Sequence, residues 1–448
     1  MDIHDTTPTY NLKVVVQETG LRPDTLRAWE RRYGLPQPDR SGGGHRLYSR
    51  RDIETLKWLA AREKEGMSIS RAVSLWRRIE AEGRDPLVAE ASSLPPAARP
   101  ATAYLPIEAQ GGAATLAQLR QAWLAAVLDF QEMAAEQLLT QAFALYPPEV
   151  VCSQVLQAGV REAGEGWCRG DISVQQEHFV TEMATRRVEA LLTATPPPTR
   201  SERILMACAP TEEHAFSPLL LTFLLRRRGL GVVYLGANVP QERLAATVTA
   251  NNPQLVILVA QRLPTAAALA EEALVLRGDG VRVGFGGAVF NRFPSLRDRV
   301  AGHFLGEALE RAVEKVEELL AAAPPLPPAP APLSADYRAA LAHFLEQQPR
   351  IQVRVWEAAR AIPALRAHLD AVNASLARNL RAALALGDVS LAEAEVMWKE
   401  CLPDNLRLTD HSARRYLDIY YEAARSELDA RAALVIERLA QLRDAARA

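Results

Sequence analysis

The sequence has 448 residues, 48% of them hydrophobic and 24% charged, and a formal net charge of −2. That length exceeds a single core and predicts three or four domains, while the near-neutral balance excludes a globally basic or acidic chain. Four scattered cysteines (Cys152, Cys168, Cys208, Cys401) without CxxC spacing argue against a disulfide framework or zinc site, and no apolar run could cross a bilayer, so a soluble, cytoplasmic protein with no membrane partner is expected.

Proline-rich stretches divide the chain. Residues 86–113 are rich in Pro, Ala and Ser without helical periodicity, and "APPLPPAPAPL" at 323–333 reads as a polyproline spacer. A shorter "TPPPTRSE" at 195–202 parts a helical stretch from one with strand signals. The expected organisation is multidomain, α and α/β. It comprises a head at 1–85, a linker at 86–113, a helical bundle at 114–194, an α/β module at 203–322, the spacer at 323–333, and a helical module at 334–448.

In the head, Val14, Val15, Val16 and Leu21 pack a short first helix, with Gly20 at a tight turn. A second helix starts near Pro23-Asp24 and carries Arg27, Trp29, Arg31 and Arg32. "RSGGGHRLYSRRD" then reads as a hairpin wing bearing His45, Arg46 and Tyr48, and Ser49 with Asp52 starts a further helix. Over residues 22–51 eight arginines face only Asp24, Glu30 and Asp39, a local phosphate-binding footprint. The plain alternative is a solvated basic helix pair. "TLRAWERRYG" and "GGHRLYSRRD" resemble the recognition helix and wing of the MerR family, and "GMSISRAVSLW" its following helices. The resemblance implies a dimeric reader of double-stranded operator DNA, with Arg27, Trp29, Arg31 and Arg32 in or beside the major groove and Arg46 and Tyr48 on wing phosphates.

Residues 114–194 carry apolar residues at three and four spacing and read as a small helical bundle. Within "GWCRGDISVQQEH", Gly166 and Gly170 place Trp167 at a helix end, and Glu177 and His178 open the next helix. Indole, carboxylate and imidazole could converge on one mouth of the bundle. A core tryptophan beside a capping glutamate and an exposed histidine is the structural alternative.

From Arg203 the pattern turns to "RILMACAP", "GVVYLGANV", "LVILVAQ" and "VRVGFGG", buried parallel strands with helices near 215–228, 241–250 and 265–276, and "HFLG" (303–306) as a fifth strand. In such a doubly wound, Rossmann-like layout ligands collect at the carboxyl ends of strands. Glu212 and His214 sit there in "TEEHAFSP", where one imidazole nitrogen can bind a metal while the carboxylate holds the other N–H.

The α/β module resembles the cobalamin-binding domain of methyltransferases, mutases and photoreceptors, whose signature is Asp/Glu-x-His-x-x-Gly, then a Ser after the third strand and Gly-Gly after the fourth. The resemblance implies that His214 is the lower axial ligand of cobalt with Glu212 behind it, and that Gly286-Gly287 belong to the last element. Ser217 stands where that family has Gly, and Val259 where it usually has Ser; both positions line the slot for the nucleotide tail. Haem, another tetrapyrrole through His214, or loss of the cofactor stays open at this point.

Trp-x9-Glu-His before such a domain resembles the cap of light-sensing, cobalamin-dependent MerR repressors of the CarH/LitR type. That implies Trp167 over the upper face of the corrin, Glu177 and His178 on an adenosyl group, and adenosylcobalamin as the cofactor. Cys168 replaces a histidine that in well-known members can take the upper cobalt position, so a bis-histidine photoproduct is not expected. The reading is a non-enzymatic regulator acting as a homo-oligomer, dimer or tetramer. A cobalamin-dependent methyltransferase or mutase subunit is the alternative from a different class.

Residues 334–448 carry no recognised chemistry. Leu417, Tyr420, Tyr421, Ala424, Leu428, Ala432, Val435, Leu439 and Leu442 form one helical stripe, a packed core or dimer seam. His411 beside Asp410 reads as a surface histidine.

Overall fold

The computed structural model describes residues 7–64 apart from 22, 37 and 41–45, scattered positions between 69 and 87, then 114–360, 362, 366, 369–393 and 410–447. The chain divides into two compact units, Met1–Tyr104 and Leu105–Ala448.

The first unit opens with β1 (Tyr10–Asn11) and α1 (Leu12–Thr19), which Asn11 caps by accepting from the Val14 amide. Gly20 ends α1 at φ 71°, a conformation that favours glycine, and lets α2 (Pro23–Tyr33) follow at once. β2 (Asp39–Arg40) and β3 (Arg46–Tyr48) pair antiparallel, β1 adds to the other side of β3, and α3 (Arg50–Lys64) follows. These two strands are the flanks of the expected wing; Gly42, Gly43, Gly44 and His45 lie outside the described residues. The core is Val15, Leu26, Trp29, Tyr48, Ile53, Leu56, Trp58 and Trp76.

The second unit begins as a helical bundle: α4 (Leu116–Leu128), α5 (Glu132–Leu145), α6 (Pro148–Val151), α7 (Ala158–Arg169) and α8 (Val174–Thr193). A π-helical turn, Cys152–Gln157, joins α6 to α7 and re-phases the helix that follows. Next come β4 (Arg203–Cys208), α9 (Phe216–Arg227), β5 (Gly231–Tyr234), α10 (Leu244–Asn251), β6 (Leu255–Val259), α11 (Leu263–Gly278), β7 (Val283–Gly286), α12 (Ala288–Arg292), β8 (His303–Phe304) and α13 (Leu309–Ala322). The five strands are all parallel, in the order β5-β4-β6-β7-β8. β6 is buried along its whole length, which explains its unbroken apolar run.

Each face of this sheet buries a different partner. Ile204, Met206 and Ile257 point toward α9, α13 and the bundle, with Trp123, Leu138 and Met183 in the same core. Leu205, Ala207, Val256 and Leu258 point the other way, into a core that continues through α11 into the C-terminal helices. Those helices are α14 (Ala335–Ala359), α15 (Leu369–Ala385), α16 (Asp410–Glu427) and α17 (Ala433–Arg447). The stripe read from Leu417 to Leu442 is core, but it does not lie on one helix. Asp429 accepts from the Arg431 amide and starts a short 3-10 turn, so α16 and α17 fold against each other. Of the expected surface pair, Asp410 and His411 begin α16, and their side chains lie outside the described residues.

Candidate cofactor site and DNA-binding head

The loop after β4 is fixed from several sides. Thr211 takes φ 64°; its amide donates to Asn238 Oδ1 at 2.8 Å, and its carbonyl accepts from Arg262 at 2.8 Å. Glu212 is fully buried beneath this loop. Its Oε1 lies 2.6 Å from His214 Nδ1 and accepts from the His214 amide at 3.0 Å. Its Oε2 accepts from Thr265 Oγ1 at 2.6 Å and from the Gln261 amide at 2.7 Å. Burial alone would raise the carboxyl pKa, but these donors outweigh it and hold the group at about 2. An ionised Glu212 requires a proton on His214 Nδ1. Nε2 is then left as a lone-pair donor on a side chain 61% exposed, which is what a metal ligand needs.

Beside this loop is a cavity of about 350 Å³. Ser217, Val259, Gly286 and Gly287 all line it, together with Gln261 and Leu305 from the α/β fold and Gln157, Val160 and Arg161 from the bundle. A Cβ added at Gly286 would meet nothing within 4 Å, so the glycine leaves the slot open. Gly287 is needed for a different reason: at φ 129°, a Cβ there would lie 1.8 Å from the Ala260 carbonyl oxygen. The Gln261 side chain accepts from the Ala288 amide at 2.7 Å and fixes the slot's far wall.

The opposite residues come from the bundle. α7 ends where Gly170, at φ 82°, donates to the Trp167 carbonyl. Ser173 and Gln176 form a capping box that starts α8, and Gln176 also donates to the Leu128 carbonyl at 2.9 Å. Trp167 in the last turn of α7 and Glu177 in the first turn of α8 therefore share one end of the bundle. The Trp167 Nε1–H is buried with no hydrogen-bond partner among the described residues, a donor suited to an acceptor on a bound group. Glu177 Oε2 lies 2.9 Å from His178 Nδ1, and its Oε1 accepts from Thr181 at 3.0 Å; His178 itself is exposed. Cys168 is half-buried in the same turn as Trp167. A buried imidazole-orienting carboxylate, an open slot and an orphaned indole donor fit a corrin-type cofactor.

Thr265, Gln261, Arg262 and Asn238 were not legible as site residues. The signal was available only through topology: β6 and α11 end and begin at the carboxyl edge of the sheet, as the loop after β4 does.

In the head, Arg27, Arg31 and Arg32 are exposed along α2. Two expectations are corrected. Trp29 is 5% exposed and Tyr48 1% exposed, so both are core residues that cannot also lie in the groove or on wing phosphates. Burial also pushes the Tyr48 hydroxyl pKa up. Arg46 is half-buried and its Nε donates to Glu30 at 2.8 Å, tying the wing strand to α2.

Comparison with known proteins matches three segments. Residues 10–78 match the MerR HTH family regulatory proteins, and 119–192 and 202–314 each match a B12 binding domain. The HTH-type transcriptional repressor CarH of Myxococcus xanthus is 32% identical over 303 residues, 67% of this chain and 96% of that protein. The chain belongs to the CarH-type, cobalamin-binding MerR regulators. The repressor CarA of the same organism is 29% identical over 271 residues, 59% of this chain and 82% of that one. Among solved structures, the Methanosarcina barkeri monomethylamine corrinoid protein is 16% identical, with a TM-score of 0.41, over 46% of this chain and all of that one. The MerR and B12 binding matches make the chain a DNA-binding, cobalamin-binding regulator, and no helix among the described residues is long and apolar enough to cross a membrane.

Proposed function

We propose that this CarH-type regulator binds adenosylcobalamin between its bundle and its α/β domain and uses it as a light-sensing chromophore that controls assembly and operator binding. The observation that carries the reading is His214, whose Nδ1 is committed to the buried Glu212 on a side chain 61% exposed, in the loop that leads into Phe216 and Ser217 of the 350 Å³ slot. In this reading His214 would ligate the cobalt, and Ser217, Val259, Gly286 and Gly287 would hold the nucleotide tail. Trp167 would cover the bound ring and exclude water, and Glu177 and His178 would contact the group beside it. Adenosylcobalamin, when bound, supplies a cobalt–carbon bond that visible light can break. Each remaining role belongs to the chain: Glu212 fixes the tautomer, Thr265 and the Gln261 amide keep Glu212 ionised, and the bundle end around Trp167 responds to what fills the space beside it.

Coupling to DNA follows from multivalency. Arg27, Arg31 and Arg32 of one head make a limited set of phosphate and base contacts, so joining several heads raises affinity without new base contacts. The test is to load the protein with adenosylcobalamin in darkness and follow absorbance, mass and operator gel shifts before and after green light. A light-dependent drop in mass and in DNA affinity supports the proposal. Corrin binding with no light response would leave a cobalamin sensor of another signal, and no corrin binding would remove it.

A further inference from the structure

Helix α14 carries apolar residues on two faces, and among the described residues only one of those faces is buried. Ala340, Phe344, Ile351, Val355 and Ala359 point into the core that the C-terminal helices share with the α/β domain. On the other side Ala342, Leu345, Pro349, Val353 and Trp356 are all exposed, with Val353 at 57%, and of these Trp356 also donates its indole N–H to Asp370 Oδ1 of α15 at 2.6 Å. A single exposed apolar residue needs no explanation, but a stripe along four turns of one helix does. Pro349 removes a backbone donor in mid-helix and is itself exposed.

The stripe has a symmetry that points to its occupant. Its spacings are three, four, four and three, which read the same in both directions about Pro349. When two such helices lie antiparallel across a two-fold axis at Pro349, Ala342 meets Trp356, Leu345 meets Val353, and Pro349 meets its own mate. A self-complementary patch of this kind is what an isologous contact requires. The charges agree. At 3.6 residues per turn, Glu346 and Arg350 project from the same flank of the stripe, about 60° and about 100° from its centre. In the antiparallel register, Glu346 of one copy comes within about 3 Å of the height of Arg350 on the other, and the pair occurs twice. Among the described residues, Arg350 has a long 3.4 Å contact to Gln347, and Glu346 lies 3.6 Å from His343 Nδ1.

We infer that the exposed face of α14 is a subunit interface occupied by the same face of a second copy of this chain, paired antiparallel about Pro349. This seam lies in the C-terminal helices, outside the three segments that match the MerR and B12 binding families, and it stands whether or not cobalamin or light is involved.

Cross-linking tests the seam separately from any other contact between subunits. In the full-length protein, Pro349→Cys is treated with a short bismaleimide, with wild type and Met133→Cys, an exposed position on α5, as controls. A covalent dimer is expected from Pro349→Cys at micromolar concentration, at least tenfold above the background of the native cysteines and of Met133→Cys. Val353→Glu in the same background should abolish it. Glu346→Arg or Arg350→Glu should each reduce it several-fold, and the double reversal should restore it. Circular dichroism of each variant confirms folding. Cross-linking no greater than in the controls overturns the inference, as does protection of the introduced thiol from a monofunctional maleimide without a dimer, which would assign the stripe to another surface. Failure of the double reversal to restore the dimer would overturn the antiparallel register.

Discussion

The hydroxyl of Thr265 lies 2.6 Å from Glu212 Oε2, which puts the first turn of α11 directly behind the imidazole of His214. The outward nitrogen of His214 therefore depends on a residue 51 positions away in sequence, on the far side of two strands. Thr265→Val keeps the shape of the side chain and removes the donor. Partners of this kind cost 10–100-fold in affinity when lost, so corrinoid binding, followed by absorbance titration, should weaken by about tenfold. Unchanged affinity would mean that the Gln261 amide alone suffices.

Two buried carboxyls give opposite pH signatures. Glu212 is held at about 2, below its ordinary 4.5, so its contribution is complete above pH 4.5 and fades as pH falls toward 2. Across that window the loss is roughly 3 kcal/mol, seen as a shrinking stability advantage of wild type over Glu212→Gln in urea titrations. Glu272 on α11 is 2% exposed, its Oε2 has no partner among the described residues, and burial, with Glu271 beside it, pushes it up to about 7. The folded state therefore holds its proton longer than the unfolded one, and stability falls as pH rises from 4.5 to 7. Glu272→Gln should be more stable than wild type by roughly 3 kcal/mol at pH 8 and no different below pH 4.5. Equal midpoints at pH 8 would refute this.

The paired glycines should separate binding from folding. Gly286→Leu projects into the slot and meets no neighbour at its Cβ, so the protein should melt as wild type does yet lose affinity for cobalamin. Cobinamide, which has no nucleotide tail, should bind that variant about as well as wild type. Gly287→Ala drives a methyl into the Ala260 carbonyl and should lower the melting temperature instead. Equal loss of both ligands in Gly286→Leu would mean that the slot does not hold the tail.

In the head, the aromatic and basic residues of α2 divide by role. Arg31→Ala should leave the melting temperature unchanged while weakening operator binding and reducing the slope of log affinity against log salt by about 1. Trp29→Ala opens a hole in the head's core and should cost about 3–5 kcal/mol of that unit's stability. If Trp29→Ala weakened DNA binding in a fully folded head, the assignment of Trp29 to the core would be wrong.

What could be read from the sequence depended on how local the signal was. The parallel strands are legible because buried strands such as Leu255–Val259 are apolar without a break, and Glu212-x-His214 is legible because carboxylate and imidazole are near neighbours. Thr265 and Gln261 were missed because only the crossover from β6 to α11 brings them to Glu212. Trp29 and Tyr48 are core residues that resemble groove-facing ones because an aromatic near arginines looks alike whether its element faces outward or inward; the inward sides of α2 and β3 decide it. The C-terminal stripe was read as one helix because nothing in its apolar spacing reveals the turn at Asp429. The exposed face of α14 went unread for a related reason: two apolar stripes on one helix blur the periodicity of each.

The central claim is that His214 Nε2 binds cobalt, and electron paramagnetic resonance of the protein loaded with cobalamin in the cobalt(II) state tests it most directly. With 15N-histidine incorporated, the cobalt lines should each split into a doublet from one protein nitrogen, and His214→Ala should lose that doublet. A triplet from 14N that persists in both proteins would place the cofactor's own base on the metal and contradict the account.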